Sequence, residues 1–455
     1  MNKNNNIFKL SVLSVIFILS LSSTLIVNGD NDFIVGVCTH LMSPPVSLTT
    51  VTPPLDAAIG AGLASVRDTP YWSSVEFVKG QLTEIYEFND FMVALQPRTS
   101  LSKLFILGNG NQHYNNGQKP QGTNITVAFT NYVQWVVNKY KGKVQFYEVW
   151  NEWDLDDPGN PNTATHYMQL ANAAIPVIRA NDPNAKILGG CITSDGMDQL
   201  FGDRVIQQGL ATKVDGLSIH PYNFCGGTDN TPEVWFRWVN LTNTRWTGLR
   251  NGVATPLYIT EMTWPSSHPS TCGSTLEIQA AYLARVYFLA RVIPNIKGMW
   301  WYDIFDDGVD FYDREHNFGL LDHNWSPKPA YFTMKSITPF ISNYTYDATK
   351  SVLASGSLYK LAFYRNLTGG AQHRVISAWS SNNAATVTTT LTTQSVVPLD
   401  LVKVWYTTPY ANMDGQWVNS GFKWTCVGFD CTATVTVGKF PVIFDVTGVK
   451  CACLP

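Results

Sequence analysis

What most constrains this 455-residue chain is a rhythm of short apolar runs. They recur as FIVGVCTH (33–40), LASVRDT (63–69), KLFILGNG (103–110), VQFYEVWNE (144–152), AKILGGCI (185–192), VDGLSIHPY (214–222), PLYITEMTW (256–264) and KGMWWYDIF (297–305). Their starts lie roughly 30 to 42 residues apart, room for one strand and one crossover helix. Helical patterns fill the gaps. In STLEIQAAYLARVYFLARVIP, a capping box of Ser274 and Glu277 precedes an apolar face of Leu276, Ala280, Leu283, Tyr287 and Ala290. Eight strands alternating with helices over about 300 residues predict an α/β protein built on a (β/α)8 TIM barrel.

The texture changes after the helix-like PAYFTMKSITPFISNY. From Ser351 onward, runs such as LYKLAFYR, HRVISAWS, LVKVWYTT and CTATVTVGKFPVIFDV alternate with period two and are broken by Gly, Asn and Asp. That is the pattern of an antiparallel β-sandwich. The expected division is a signal peptide over 1–29, a barrel over 30–343 and a C-terminal β-sandwich domain over 344–455, packed against the barrel.

The signal peptide rests on Lys3 and Lys9 at an apolar stretch from Ile7 to Val27, followed by small residues around Asn28 and Gly29. Ser11, Ser14, Ser20, Ser22 and Ser23 weaken the rival reading as a membrane anchor. The expectation is a secreted protein with no membrane span after signal cleavage. All eight cysteines lie beyond the cut, which in an exported chain predicts disulfides. Cys225 and Cys272 follow neighbouring strands, and Cys426 and Cys431 bracket a short turn, so these two pairs are expected to bond. No Cys-x-x-Cys motif with a matching His pair suggests a metal. Asn-x-Ser/Thr sequons at Asn124, Asn240, Asn324, Asn343 and Asn366 fit the same compartment. A net charge of −3 with acids and bases intermingled gives no reason to expect nucleic acid or a membrane surface as partner. The 15 Trp, 20 Tyr and 23 Phe either pack cores or stack on sugar rings.

In a (β/α)8 enzyme the chemistry sits at the carboxyl ends of the strands, where this chain places its unusual polar groups. These are Arg67 and Asp68, Asn151 and Glu152, His220 and Tyr222, Glu261, and the aromatic run Trp300, Trp301, Tyr302 before Asp303. Glu152 and Glu261, on opposite sides of one barrel mouth, supply the paired carboxylates that glycoside hydrolysis requires. Indoles at Trp150 and Trp153 would raise the pKa of Glu152 and suit it to donate a proton. Arg67, His220 and Tyr222 are the cation and donors that would keep Glu261 ionised as a nucleophile. Each has a plainer reading: Arg67 as the partner of Asp68 or a surface acid, His220 and Tyr222 as satisfied core groups. Glu148 shares the parity of Glu152 but lies roughly 13 Å lower, so it is expected to bond inside the barrel. His40 and Tyr114 are further cleft candidates. No cofactor is needed, because two carboxylates and water complete the reaction.

The order WNE, HPY, ITE and an aromatic run closing strands 4, 6, 7 and 8 resembles clan A of the glycoside hydrolases. WYDIFDDG followed by EHNFGLLDHNWSPKPAY is most similar to families 39 and 5, and the resemblance covers roughly residues 33 to 340. It implies a retaining enzyme with Glu152 as acid/base and Glu261 as nucleophile. It also implies that Asn151 bonds the sugar 2-hydroxyl and that Trp301 floors the subsite. Trp153 stands where many members carry Pro. The expected activity is hydrolysis of β-glycosidic bonds in a poly- or oligosaccharide. The alternative is a non-catalytic carbohydrate-binding protein on the same barrel. The sugar, internal against terminal cleavage, and oligomeric state stay open at this level.

Overall fold

The computed structural model describes residues 33–43, 47–225, 227, 230–394, 401–407 and 417–447. The expected signal peptide, Cys451 and Cys453 lie outside the described residues. Eight parallel strands close into a barrel in chain order: β1 (Ile34–Cys38), β2 (Ser65–Asp68), β3 (Ser102–Leu107), β4 (Phe146–Val149), β5 (Lys186–Thr193), β6 (Gly216–His220), β7 (Leu257–Met262) and β8 (Ile296–Trp301). Each coincides with one of the eight apolar runs, extending at most one residue beyond it.

Alternation along the strands sorts the side chains into two layers. Inward residues Leu104, Ile106, Phe146, Leu188, Tyr258 and Trp300 plug the barrel. The Trp300 indole is the centre of this plug, 6.2 Å from the Phe146 ring and 6.3 Å from that of Tyr258. Gly36 admits it, since a Cβ there would sit 2.3 Å from indole atoms. Outward residues pack on the surrounding helices in a continuous second core. The interior is thus closed below, and only its upper end is open to solvent.

The C-terminal strands are β9 (Thr345–Ser355), β10 (Leu358–Asn366), β11 (Gln372–Ser380), β12 (Val387–Gln394), β13 (Lys403–Tyr406), β14 (Val418–Asn419), β15 (Thr425–Val427), β16 (Asp430–Val437) and β17 (Val442–Asp445). They form two antiparallel sheets, ordered β14-β13-β17-β11-β10-β9 and β12-β16-β15, with Leu391, Val404, Ala433, Val435 and Phe444 buried in the core they share. Tyr359, Leu361, Phe363, Val375 and Trp379 instead join the barrel core.

This docking explains a departure from the expected one-sided helix. In helix Leu276–Ala290 every residue from Gln279 onward is buried, while Leu276 is exposed. The sandwich covers the side that the sequence pattern assigns to water. Its cap is Thr275 rather than Ser274, with Oγ1 accepting from the Ile278 amide at 3.1 Å. Arg285, on the covered side, donates from Nε to Glu233 at 2.8 Å and from NH1 to Asn383 at 2.7 Å, while the Trp379 indole donates to Glu233 at 2.8 Å. Replacing Arg285 with Met would leave Glu233 buried with its charge uncompensated, a change of about 3–5 kcal/mol. A clear drop in the unfolding midpoint is expected by calorimetry. An unchanged midpoint would refute this account of the interface.

Disulfides join Cys225 to Cys272 and Cys426 to Cys431, as expected from their positions. Cys38 and Cys191 are buried free thiols. Among the described residues, no helix is long and apolar enough to cross a membrane. The five sequon asparagines are all exposed.

Candidate active site

Local irregularities at the strand ends aim the functional side chains. The register of β7 against β8 shifts between Ile259 and Met262. A bulge of this kind re-aims side chains, and here Thr260 and Glu261 both reach the interior. After β4 the backbone is left-handed at Trp150 (φ 68°) and Glu152 (φ 48°). Such strain costs about 1–3 kcal/mol per residue and gathers where function needs it. It turns Trp150 outward onto Phe129 and Trp153, with ring centroids 5.7 and 5.3 Å away, and leaves Asn151 and Glu152 at the cavity. On β5, the left-handed Cys191 (φ 42°) brings its thiol to the same interior.

Arg67 organises the site. Its side chain is 2% exposed, and it donates to Glu148 Oε2 at 2.8 Å, to Glu261 Oε1 at 2.6 Å and to Asn151 Oδ1 at 2.8 Å. Asp68 is not its partner, being held by Thr39 Oγ1 and the amides of Leu41 and Thr69 at 2.6–2.7 Å. Tyr222 donates to Glu261 Oε2 at 2.8 Å, and His220 Nδ1 lies 3.4 Å from the same oxygen. Burial alone would raise the pKa of Glu261. The charges of His220 and Arg67, with the Tyr222 hydrogen bond, outweigh it and hold this carboxyl below its ordinary range. Glu261 is therefore an anion.

The protons of His220 follow from its neighbours. Thr260 has one hydroxyl proton and donates it to Glu148 Oε1 at 2.8 Å, because a carboxylate paired to arginine only accepts. The 3.0 Å contact between Thr260 Oγ1 and His220 Nε2 must then be a donation from the imidazole. That leaves Nδ1 facing Glu152 Oε1 at 2.8 Å, a bond that needs one proton between the two atoms. His220 and Glu152 are thus joined by one hydrogen bond beside the cleft. Burial lowers the His220 pKa, but Glu261 and Glu152 more than reverse this and raise it overall.

One oxygen of Glu152 and one of Glu261 lie within 4.8 Å of each other. Retaining pairs stand about 5–5.5 Å apart, and inverting pairs about 6.5–9.5 Å. The two carboxylates share a cavity of about 450 Å³ with Arg67, Asn151, Tyr222 and Tyr302. Asn151 Oδ1 is taken by Arg67, which leaves the Nδ2 donors for a ligand in that cavity.

No protein-family model and no curated protein sequence matches this chain. Solved structures do. A family 39 glycoside hydrolase from the gut symbiont Bacteroides cellulosilyticus WH2 superposes with a TM-score of 0.71 at 21% identity, over 92% of this chain and 81% of that one. The fold is that of this glycoside hydrolase, a (β/α)8 barrel followed by antiparallel sheets. A family 30 endoxylanase from Clostridium papyrosolvens C71 (TM-score 0.56, 12% identity) covers 92% of this chain and 96% of its own. A monomeric beta-xylosidase from Caulobacter crescentus CB15 (TM-score 0.56, 15% identity) covers 92% and 97%.

On this barrel, Arg67, Asn151, Glu152, His220, Tyr222 and Glu261 come together, and Glu148 bonds inside the barrel. Trp301 does not join them. It is fully buried in the outer core, its indole donating to the Phe318 carbonyl at 3.2 Å. With Trp300 filling the interior and Trp301 pointing outward, the next inward side chain is Tyr302, which lines the cavity. Parity counted from Trp300 would have found it. Trp150 and Trp153 are core residues too, the latter donating to the Thr163 carbonyl at 3.1 Å. The asymmetry between the carboxyls arises instead from the cations around Glu261. Tyr114 stacks on Trp72 at 5.0 Å and donates to Glu76, so it packs a loop, whereas His40 does line the cavity. Sequence reasoning missed Thr260 and Cys191, because a bulge and a left-handed residue expose them to the interior.

Proposed function

We propose that this protein is a retaining glycoside hydrolase that cleaves β-glycosidic bonds of an oligo- or polysaccharide. The observation that carries the reading is the pair Glu152 and Glu261, within 4.8 Å and in opposed surroundings. Glu261, fixed as an anion by Arg67, His220 and Tyr222, attacks the anomeric carbon. Glu152 protonates the departing oxygen. The glycosyl-enzyme is then opened by water, from which Glu152 takes a proton in its turn. Asn151 holds the sugar 2-hydroxyl, and the Tyr302 ring offers a face for the sugar. Residues 1–29 act as an export signal that is then cleaved, and the two disulfides and exposed sequons support that compartment.

The xylosidase and xylanase among the similar structures make β-xylosides the first substrates to try. The test is turnover on a panel of aryl glycosides and polysaccharides, with the anomer of the first product read by proton NMR. Retained configuration is expected. Inverted product would overturn the double displacement, and saturable sugar binding without turnover would establish the binding-protein alternative.

A further inference from the structure

We propose that His40, Asp303 and Asp307 form a divalent-cation site beside the cleft, suited to zinc. His40 follows β1, and the two aspartates follow β8, the strand paired with it. His40 Nδ1 lies 3.4 Å from Asp303 Oδ2 and 3.7 Å from Asp307 Oδ1, and one ligand atom from each of the three residues falls within 4.8 Å of the others. Both distances exceed an ordinary N–H···O hydrogen bond of about 2.7–3.2 Å. The shorter matches the edge of a coordination tetrahedron. Two atoms each about 2.1 Å from a zinc ion, at the tetrahedral angle, stand about 3.4 Å apart.

Asp303 supplies an independent reason for a ligand. Its side chain is 2% exposed, and neither carboxyl oxygen accepts a hydrogen bond among the described residues. A buried carboxylate in that state is costly. The nearest lysine does not resolve it, because Lys328 is bound to Asp306 at 2.7 Å. Asp68, close by, is saturated by Thr39 and backbone amides. A cation among His40, Asp303 and Asp307 would satisfy Asp303 and pin the β1 loop to the β8 loop. One imidazole nitrogen with two carboxylates suits zinc, and a fourth position remains for water or a hydroxyl. His40 also lines the sugar cavity, so the ion would fix that wall of the cleft.

The test is metal retention by the full chain, read without any glycoside, so its outcome does not depend on the hydrolase reading. Chelator-stripped protein is loaded with zinc chloride, dialysed against metal-free buffer and assayed by mass spectrometry. One zinc per chain is expected, with a higher unfolding midpoint in zinc than in chelator. Asp307→Asn and His40→Ala should each weaken zinc binding tenfold or more and remove the zinc-dependent rise in midpoint. Asp307 is 36% exposed, so its substitution leaves the core packing in place. Retention well below one equivalent would leave a protonated His40 as the charge between the two aspartates and overturn the proposal. Equal retention by wild type and Asp307→Asn would overturn it as well.

Discussion

Glu261→Gln is expected to lower kcat on every glycoside by on the order of 10⁴-fold or more, activated aryl glycosides included. An amide cannot form the glycosyl-enzyme. The fold should survive, because Arg67 keeps its bonds to Glu148 and Asn151. Burial would push Glu261 toward the neutral acid, yet His220 and Arg67 hold it below the ordinary carboxyl value of 4.5. The sign follows directly. Activity that needs the anion is lost as pH falls through the folded pKa, so the acid limb of kcat/KM in the wild type should lie below pH 4.5. Loss of less than a hundredfold in Glu261→Gln, on a substrate the wild type turns over, would remove Glu261 from the nucleophile's place.

The parts of this molecule that were legible from sequence are those governed by period. Eight apolar runs at regular spacing left little choice but a barrel, and period-two runs after Ser351 left little choice but paired sheets. The residue types ending those runs pointed to the cleft for the same reason, since barrel strands expose their carboxyl ends at one face. Where period breaks, inference broke with it. The left-handed residues Trp150 and Glu152 turn an indole away from the carboxyl it was expected to insulate, and the β7 bulge places Thr260 beside Glu261 on the interior side. Neither has a local signature in WNEWD or YITEM. Trp301 failed differently. Its assignment came by resemblance rather than by counting faces, and Gly36, by admitting Trp300, fixes the parity that sends Trp301 into the outer core.

The second carboxyl should respond to mutation unlike the first. In Glu152→Ala the nucleophile stays intact, so aryl glycosides with good leaving groups should still form the glycosyl-enzyme at near wild-type rate. Unactivated substrates, which need protonation of the departing oxygen, should lose roughly 10²–10⁴-fold. Deglycosylation then stalls without its base, and a burst of aryl alcohol followed by a slow steady state is the expected kinetic form. Azide, small enough for the space vacated by the carboxyl, should speed the steady state and yield a glycosyl azide of β configuration. Equal losses on activated and unactivated substrates, with no effect of azide, would show that Glu152 serves the site by holding His220 in place and that the acid lies elsewhere.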